Sequence, residues 1–371
     1  MPAQFGKHIK NFGKLIFQNK SLAVGIGIVT MAIFIALFAY IIAPDTTTNA
    51  NRMIPEIGSK PPGFSISLLR MPTDTIPLNG EKGILHFFHV LYNGKPDRYR
   101  YIPVTAYYLH NDTVFAKKYI DDGITASIQV PLKTLGQPFA MHWHFYLGTD
   151  TFGRDILSRL LIGTRISLAV GFIAVAISLT IGIVLGLFAG YFGGKTDAII
   201  MWCINVIWSI PTLLLVFAVT LLLGKGFWQV FIAVGLTMWV NVARMVRGQT
   251  LAAKTLDYVT AAKVLGFGNL RILFKHILPN IAAPVIVIAA NNFAGAIVIE
   301  AGLSFLGIGV QPPQPSWGLM IKENYNFIIT HQPVLALAPG IAIMLLVVGF
   351  NLLGNGLSDI LNIPGSFKPG N

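Results

Sequence analysis

The chain has 371 residues, 54% hydrophobic and only 11% charged, with 27 Lys and Arg against 15 Asp and Glu. A soluble domain carries about 25% charged residues, so this composition, with a mean hydropathy of +0.66, excludes an ordinary soluble enzyme. The basic excess lies beside apolar segments, which makes nucleic acid a poor explanation for it.

Six apolar runs have the length of about 20 residues that a helix needs to cross a bilayer. They are Leu22–Ile42, Ile166–Tyr191, Ala198–Leu223, Phe227–Ala243, Ile281–Gly309 and Val334–Leu357. The runs are continuous and do not alternate, so helices are expected and not a barrel. The first run exceeds a secretory-signal core of roughly 7–15 residues and lacks a small-x-small cleavage site after Pro44, so it reads as a retained anchor.

Residues 45–145 form a polar, aromatic insert. Tyr99–Leu109, Val114–Ile120 and Thr125–Leu132 have strand composition, separated by turn signals at His110-Asn111-Asp112 and Asp121-Asp122-Gly123. His86-x-x-His89 and His142-x-His144 would need an adjoining acid or cysteine to make a metal site, and none stands at ligand spacing. No metal is expected. Cys203 is the only cysteine, so there is no internal disulfide; it reads as a small buried residue.

Residues 146–371 open with LGTDTFGRDILSRLLIGTRISLAVG, Leu147 to Gly171. Thr149 or Asp150 is a candidate helix cap, and Asp155 is expected to pair with Arg159 at i,i+4. The segment reads as an amphipathic elbow before the chain turns inward at Ile166. In the second run Gly182, Gly186 and Gly190 share one helix face and predict close helix packing. Pro211 and Pro284 are candidate kinks.

Lys7, Lys10, Lys14 and Lys20 precede the first run, and Arg244, Arg247, Lys254, Lys263, Arg271 and Lys275 lie between the fourth and fifth, with Asp257 the lone acid. Six spans put both groups on one side, and the positive-inside rule makes that side cytoplasmic, both termini included. Within loop 244–280, Thr255–Leu265 is expected to be helical, with Asp257 near its start, Ala261 and Ala262 offering little bulk, and Gly266 ending it. Glu300 is an acid inside a span, suited to a buried pair, to gating or, less well, to a substrate amine. Asn291 and Asn292 are polar candidates on the same segment. Trp317, in Pro312–Trp317, suits a membrane interface.

The series Asp257, Ala261-Ala262, Gly266 and Ile277-Leu278-Pro279 resembles the cytoplasmic signature loop of ABC importer permeases. Leu147–Arg159, Glu300–Gly307 and Pro312–Gly318 extend the resemblance to the second permease subunit of dipeptide, oligopeptide and nickel importers. Thr260 stands at the position of the signature's Glu, and His276 at that of its Ile. The resemblance implies an all-α integral membrane protein with the type I importer permease fold, an N-terminal anchor helix (1–44) and a five-helix core (146–371); the extracytoplasmic, partly β insert (45–145) is much longer than in compact members of the family. It implies no catalysis by this chain, which has no G-x-x-x-x-G-K-[ST] loop; Lys225 in Gly224-Lys225-Gly226 does not fit one.

No cofactor is expected in the chain itself, since ATP and Mg would be bound by partner subunits. The implied partners are a homologous first permease subunit, two ABC ATPase subunits, an extracytoplasmic peptide-binding protein and membrane lipid, in a bacterial inner membrane. Asp257, Tyr258, Ala261, Ala262 and Gly266 would couple to the ATPases. Glu300, Asn291 and Asn292 would serve the translocation path or its gate. A nickel or other small-solute permease, and a secondary transporter without ATPases, are the alternatives.

Overall fold

The computed structural model describes residues 19–73, 83–224, 226–329 and 332–361. Lys7, Lys10, Lys14, Lys225, the His86 side chain and the tail beyond residue 361 lie outside them. Among the described residues five helices are long and apolar enough to cross a membrane: α1 (Lys20–Ile42), α3 (Ile156–Phe192), α6 (Phe227–Ala253), α8 (Ala282–Phe305) and α10 (Val334–Leu361). A sixth span forms only if α4 (Gly194–Trp208) and α5 (Thr212–Leu223) count as one, and these are bent by 93°. Pro211 accounts for the break: the ring removes an N–H and disfavours helical geometry just before it.

Two other expectations are corrected. The segment from Ile156 and the second span form one continuous helix, with no turn at Ile166. Pro284 sits in the first turn of α8, where the missing N–H costs no helical bond, so it produces no kink. The irregularity falls upstream instead, where Ile272–Ile277 forms a π-helical stretch ahead of Pro279. Widening the helix there accommodates the ring and the lost hydrogen bond.

The chain divides into two compact units. One contains residues 33–166 and 312–342. Its centre is an antiparallel sheet in the order β4-β3-β2-β1-β5, from β1 (Phe64–Pro72), β2 (Tyr99–His110), β3 (Thr113–Asp121), β4 (Ile124–Pro131) and β5 (Ala140–Phe145). Ile66, Leu68, Tyr101, Tyr119 and Phe145 pack on one face, and Leu69, Val104, Val114, Ala116 and Val130 on the other. The strand expectations correspond to β2, β3 and β4; β1, β5 and the short helix α2 (Ile84–Asn93) were not expected.

The second unit contains residues 167–311 and 343–361 of the described chain, with residues 19–32. Here the glycine stripe meets α6. A methyl group on Gly186 would lie 2.6 Å from the Ala243 carbonyl oxygen, and one on Gly182 2.5 Å from Val242 Cβ. The backbones touch, as the spacing predicts. Cys203, in α4, is half-buried.

Candidate functional site

Loop 244–280 folds onto the end of its helical unit. Helix α7 (Asp257–Val264) begins with Asp257 in its first turn, where a carboxylate meets the positive end of the helix dipole. Val259 and Ala262 are buried against Leu187, Val246, Ile272, Leu273 and Ile277. Asp257, Thr260, Ala261, Val264 and Leu265 are exposed at i, i+3, i+4, i+7 and i+8, which is one outward stripe. Gly266 has φ +75° and closes the helix: its N–H donates to Lys263 C=O, and Phe267 N–H donates to Ala262 C=O at 3.1 Å. This pairing is the Schellman arrangement that a glycine in the left-handed region permits.

The five coupling candidates therefore separate. Asp257 and Ala261 face outward, Tyr258 is half-buried, Ala262 points into the core, and Gly266 sets the turn. Thr260, Val264 and Leu265 join the outward stripe; helical spacing from Asp257 and Ala261 is the signal that locates them.

The basic residues of the loop do more than bias charge. Arg247 makes two hydrogen bonds to Asp197, of 2.5 and 2.6 Å. Arg244 lies over the Trp208 ring at 3.7 Å, and Arg271 over Phe267 at 4.0 Å. Lys254 donates to the Tyr191 carbonyl, while the Tyr191 hydroxyl donates to Asn269 at 3.0 Å. These contacts bind the loop to the ends of α3, α4 and α6.

On α8 the three polar candidates have different surroundings. Glu300 is fully buried, and its Oε1 accepts a 2.6 Å hydrogen bond from Ser304 Oγ. Ser304 Oγ in turn accepts from Val310 N–H at 3.0 Å, so the carboxylate organises the turn that follows the helix. Asn292 is buried, whereas adjacent Asn291 is exposed, with Gly354 of α10 leaving room for its Oδ1.

In the sheet-containing unit, the Leu147–Arg159 motif forms an ionic network with Glu323, which follows the Pro312–Gly318 motif. Asp150 Oδ1 accepts from the N–H groups of Phe152 and Arg154, and its Oδ2 accepts from Arg154 Nε at 2.6 Å. Arg154 and Arg159 both donate to Glu323 Oε2, at 2.8 and 3.3 Å. Glu323 lies on α9 (Trp317–Asn324), which Ser316 caps by accepting from Leu319 N–H.

Two expectations change here. Asp155 does not pair with Arg159; it caps α3 itself, accepting from Ser158 N–H at 2.9 Å and from the Ser158 hydroxyl. Burial pushes its carboxyl up to about 6. Trp317 is buried within the protein, its indole N–H donating to Leu160 C=O at 3.0 Å, so its ring is not presented to lipid.

Residues 182–362 match the family model of the binding-protein-dependent transport system inner membrane component. The glutathione transport system permease protein of Pectobacterium atrosepticum is 44% identical over 225 residues, which cover 61% of this chain and 73% of that protein. The chain belongs to this family of transport permeases. The dipeptide transport system permease protein of Alkalihalophilus pseudofirmus is 42% identical over 232 residues, covering 62% of this chain and 75% of that one. The oligopeptide transport system permease protein of Bacillus subtilis is 40% identical over 225 residues, covering 61% and 72%.

A chain of the inward-facing MetNI methionine ABC transporter aligns with TM-score 0.46 at 18% identity, over 54% of this chain and 95% of that one; a likeness this distant adds nothing to the assignment. The permease is a multi-pass membrane protein of ABC importers, a class that works with ATPase and binding-protein partners. The family match begins at residue 182, so the insert and Asp150, Arg154 and Arg159 of the ionic network precede it, while Glu323 lies within it.

Proposed function

We propose that this permease translocates di- and oligopeptides across a bacterial inner membrane, as one of two homologous permease subunits powered by two ATPase subunits. The outward stripe of α7 carries the reading. Its inner face is buried, its C-terminus is fixed by Gly266, and its outer face presents the small Ala261 beside the exposed apolar side chains of Val264 and Leu265. A rigid helix with an exposed apolar stripe is a surface that a partner can grip and displace as one body. Asp257 and Ala261 contact the ATPase directly, with Thr260, Val264 and Leu265. Ala262 and Tyr258 seat the helix, and Gly266 holds its end.

The basic loop and both termini lie on the cytoplasmic side, following the positive-inside rule. The sheet-bearing insert is then external, where a peptide-binding protein delivers cargo. ATP and Mg act on the partner ATPases, and no step of hydrolysis is assigned to this chain. Asn291 is the residue on α8 available to the translocation path. Glu300 acts as a gate-forming structural group and not as a ligand for the peptide amine, because its carboxylate is enclosed and bonded to Ser304.

Peptide names among three related permeases support this cargo over nickel. Uptake by vesicles containing the co-expressed subunits and a binding protein tests the reading. ATP-dependent accumulation of labelled dipeptide or glutathione, with no nickel uptake, is expected. Accumulation driven by an ion gradient without ATP would contradict it and favour a secondary transporter.

A further inference from the structure

Helix α2 carries an outward-facing row of large apolar side chains, with its polar His89 and Asn93 exposed as well. Ile84, Phe87, Phe88 and Tyr92 are 73%, 53%, 56% and 73% exposed. Their spacing of i, i+3, i+4 and i+8 places them on one side of the helix. The helix, ILHFFHVLYN, contains no Lys, Arg, Asp or Glu. An exposed aromatic and aliphatic stripe of this kind marks a surface that something covers.

The helix is fixed where a membrane span ends. After Gly94, Lys95 N–H donates to Thr46 C=O at 2.8 Å, and Thr48 N–H donates to Lys95 C=O at 3.1 Å, just beyond the end of α1 at Ile42. Gly94 has φ +74° and approaches the Tyr40 ring so closely that a methyl group there would lie 2.7 Å from it. Arg165 Nη1 donates to the carbonyls of Leu91 and Tyr92, at 3.3 and 2.9 Å, and its guanidinium lies about 5 Å from the rings of both Tyr40 and Tyr92. A cation at the helix C-terminus meets the negative end of the dipole. The last residues of α1 also expose Phe34, Leu37, Ile41 and Ile42, so the apolar surface continues from the span toward the helix.

We propose that α2 is an interfacial helix whose Ile84, Phe87, Phe88 and Tyr92 insert into the lipid boundary beside the end of α1. With no charge on the helix, insertion depends on apolar area and does not require anionic lipid. The occupant is the bilayer itself. The helix would lie about 5–10 Å into the headgroup and acyl boundary, the depth usual for such elements, and would hold the insert against the membrane. The inference is independent of the cargo.

Nitroxide accessibility in the full chain tests it. Cys203 is the only cysteine, so a Cys203→Ser background allows single labels at Phe88→Cys, at Leu37→Cys on α1 and at Ser127→Cys on an exposed position of β4. The labelled permease, with its co-purified subunits, is reconstituted in phosphatidylethanolamine vesicles with or without phosphatidylglycerol. The Phe88 label is expected to favour oxygen over a water-soluble nickel chelate several-fold more than the Ser127 label, as the Leu37 label does, in both lipids.

A Phe88 label that collides with nickel like Ser127 overturns the proposal. So does one shielded from both reagents, which would identify a protein partner as the cover. In a second variant, Phe87→Asp with Phe88→Asp, a label at Ile84→Cys should become nickel-accessible while Ser127 is unchanged. An unaltered Ile84 reading there also overturns it.

Discussion

Asp155 is a carboxyl held in a cap, and its raised pKa gives the sheet-containing unit a pH dependence of definite sign. Burial lifts the folded group to about 6, against about 3.9 in an unfolded chain. Between those values the folded state holds a proton that the unfolded state has lost, so stability falls as pH rises from about 4 to 6 and is level above that. The difference amounts to about 3 kcal/mol. Asp155→Asn keeps an oxygen for Ser158 N–H and is expected to flatten this slope in detergent unfolding curves; a slope equal to that of the parent would contradict the assignment. Glu323→Ala removes the acceptor that Arg154 and Arg159 share, leaving Asp150 as the acid beside both, and is expected to cost about 1–3 kcal/mol, read as a lowered Tm. The residue types of this network were visible in the sequence, but its pairing was not. Spacing suggested Asp155 with Arg159, whereas the partner, Glu323, is far away in the chain, and local periodicity carries no information about such contacts.

Elements were more legible where one physical rule dominated. Long apolar runs gave the spans, because helices satisfy every backbone group without water. The Gly182, Gly186 and Gly190 stripe gave the α3 and α6 packing. Gly186→Ala places its new methyl group against the fixed Ala243 carbonyl and is expected to cost about 1–3 kcal/mol. Gly248, with open space at the same test, should accept Ala without loss in the same thermal assay. The strands β2, β3 and β4 were legible from composition and turn residues. β1 is hard to read because both its faces are covered: Ile66 and Leu68 face one core and Leu69 the other, which blurs the alternation of a half-buried strand. β5 is short and contains His142 and His144 on its exposed side. The π-helical stretch is a local response to Pro279, whose position, though not its geometry, could be read.

At the scale of the molecule, the function rests on a loop that is structurally committed on one face and available on the other. Ala261 and Ala262 are neighbours in sequence, and both offer little bulk. A helix turns about 100° between consecutive residues, so one faces outward and the other lies under α7, 3% exposed. Pull-down of the permease with its ATPase partners from detergent-solubilised membranes separates these roles. Ala261→Arg is expected to leave the permease folded, at parental Tm, and to reduce recovered ATPase at least tenfold. Ala262→Arg should instead lower Tm, because the new side chain enters the core around Leu187 and Ile272. Recovery of parental amounts of ATPase with folded Ala261→Arg would contradict the proposal that α7 is where the ATPases dock.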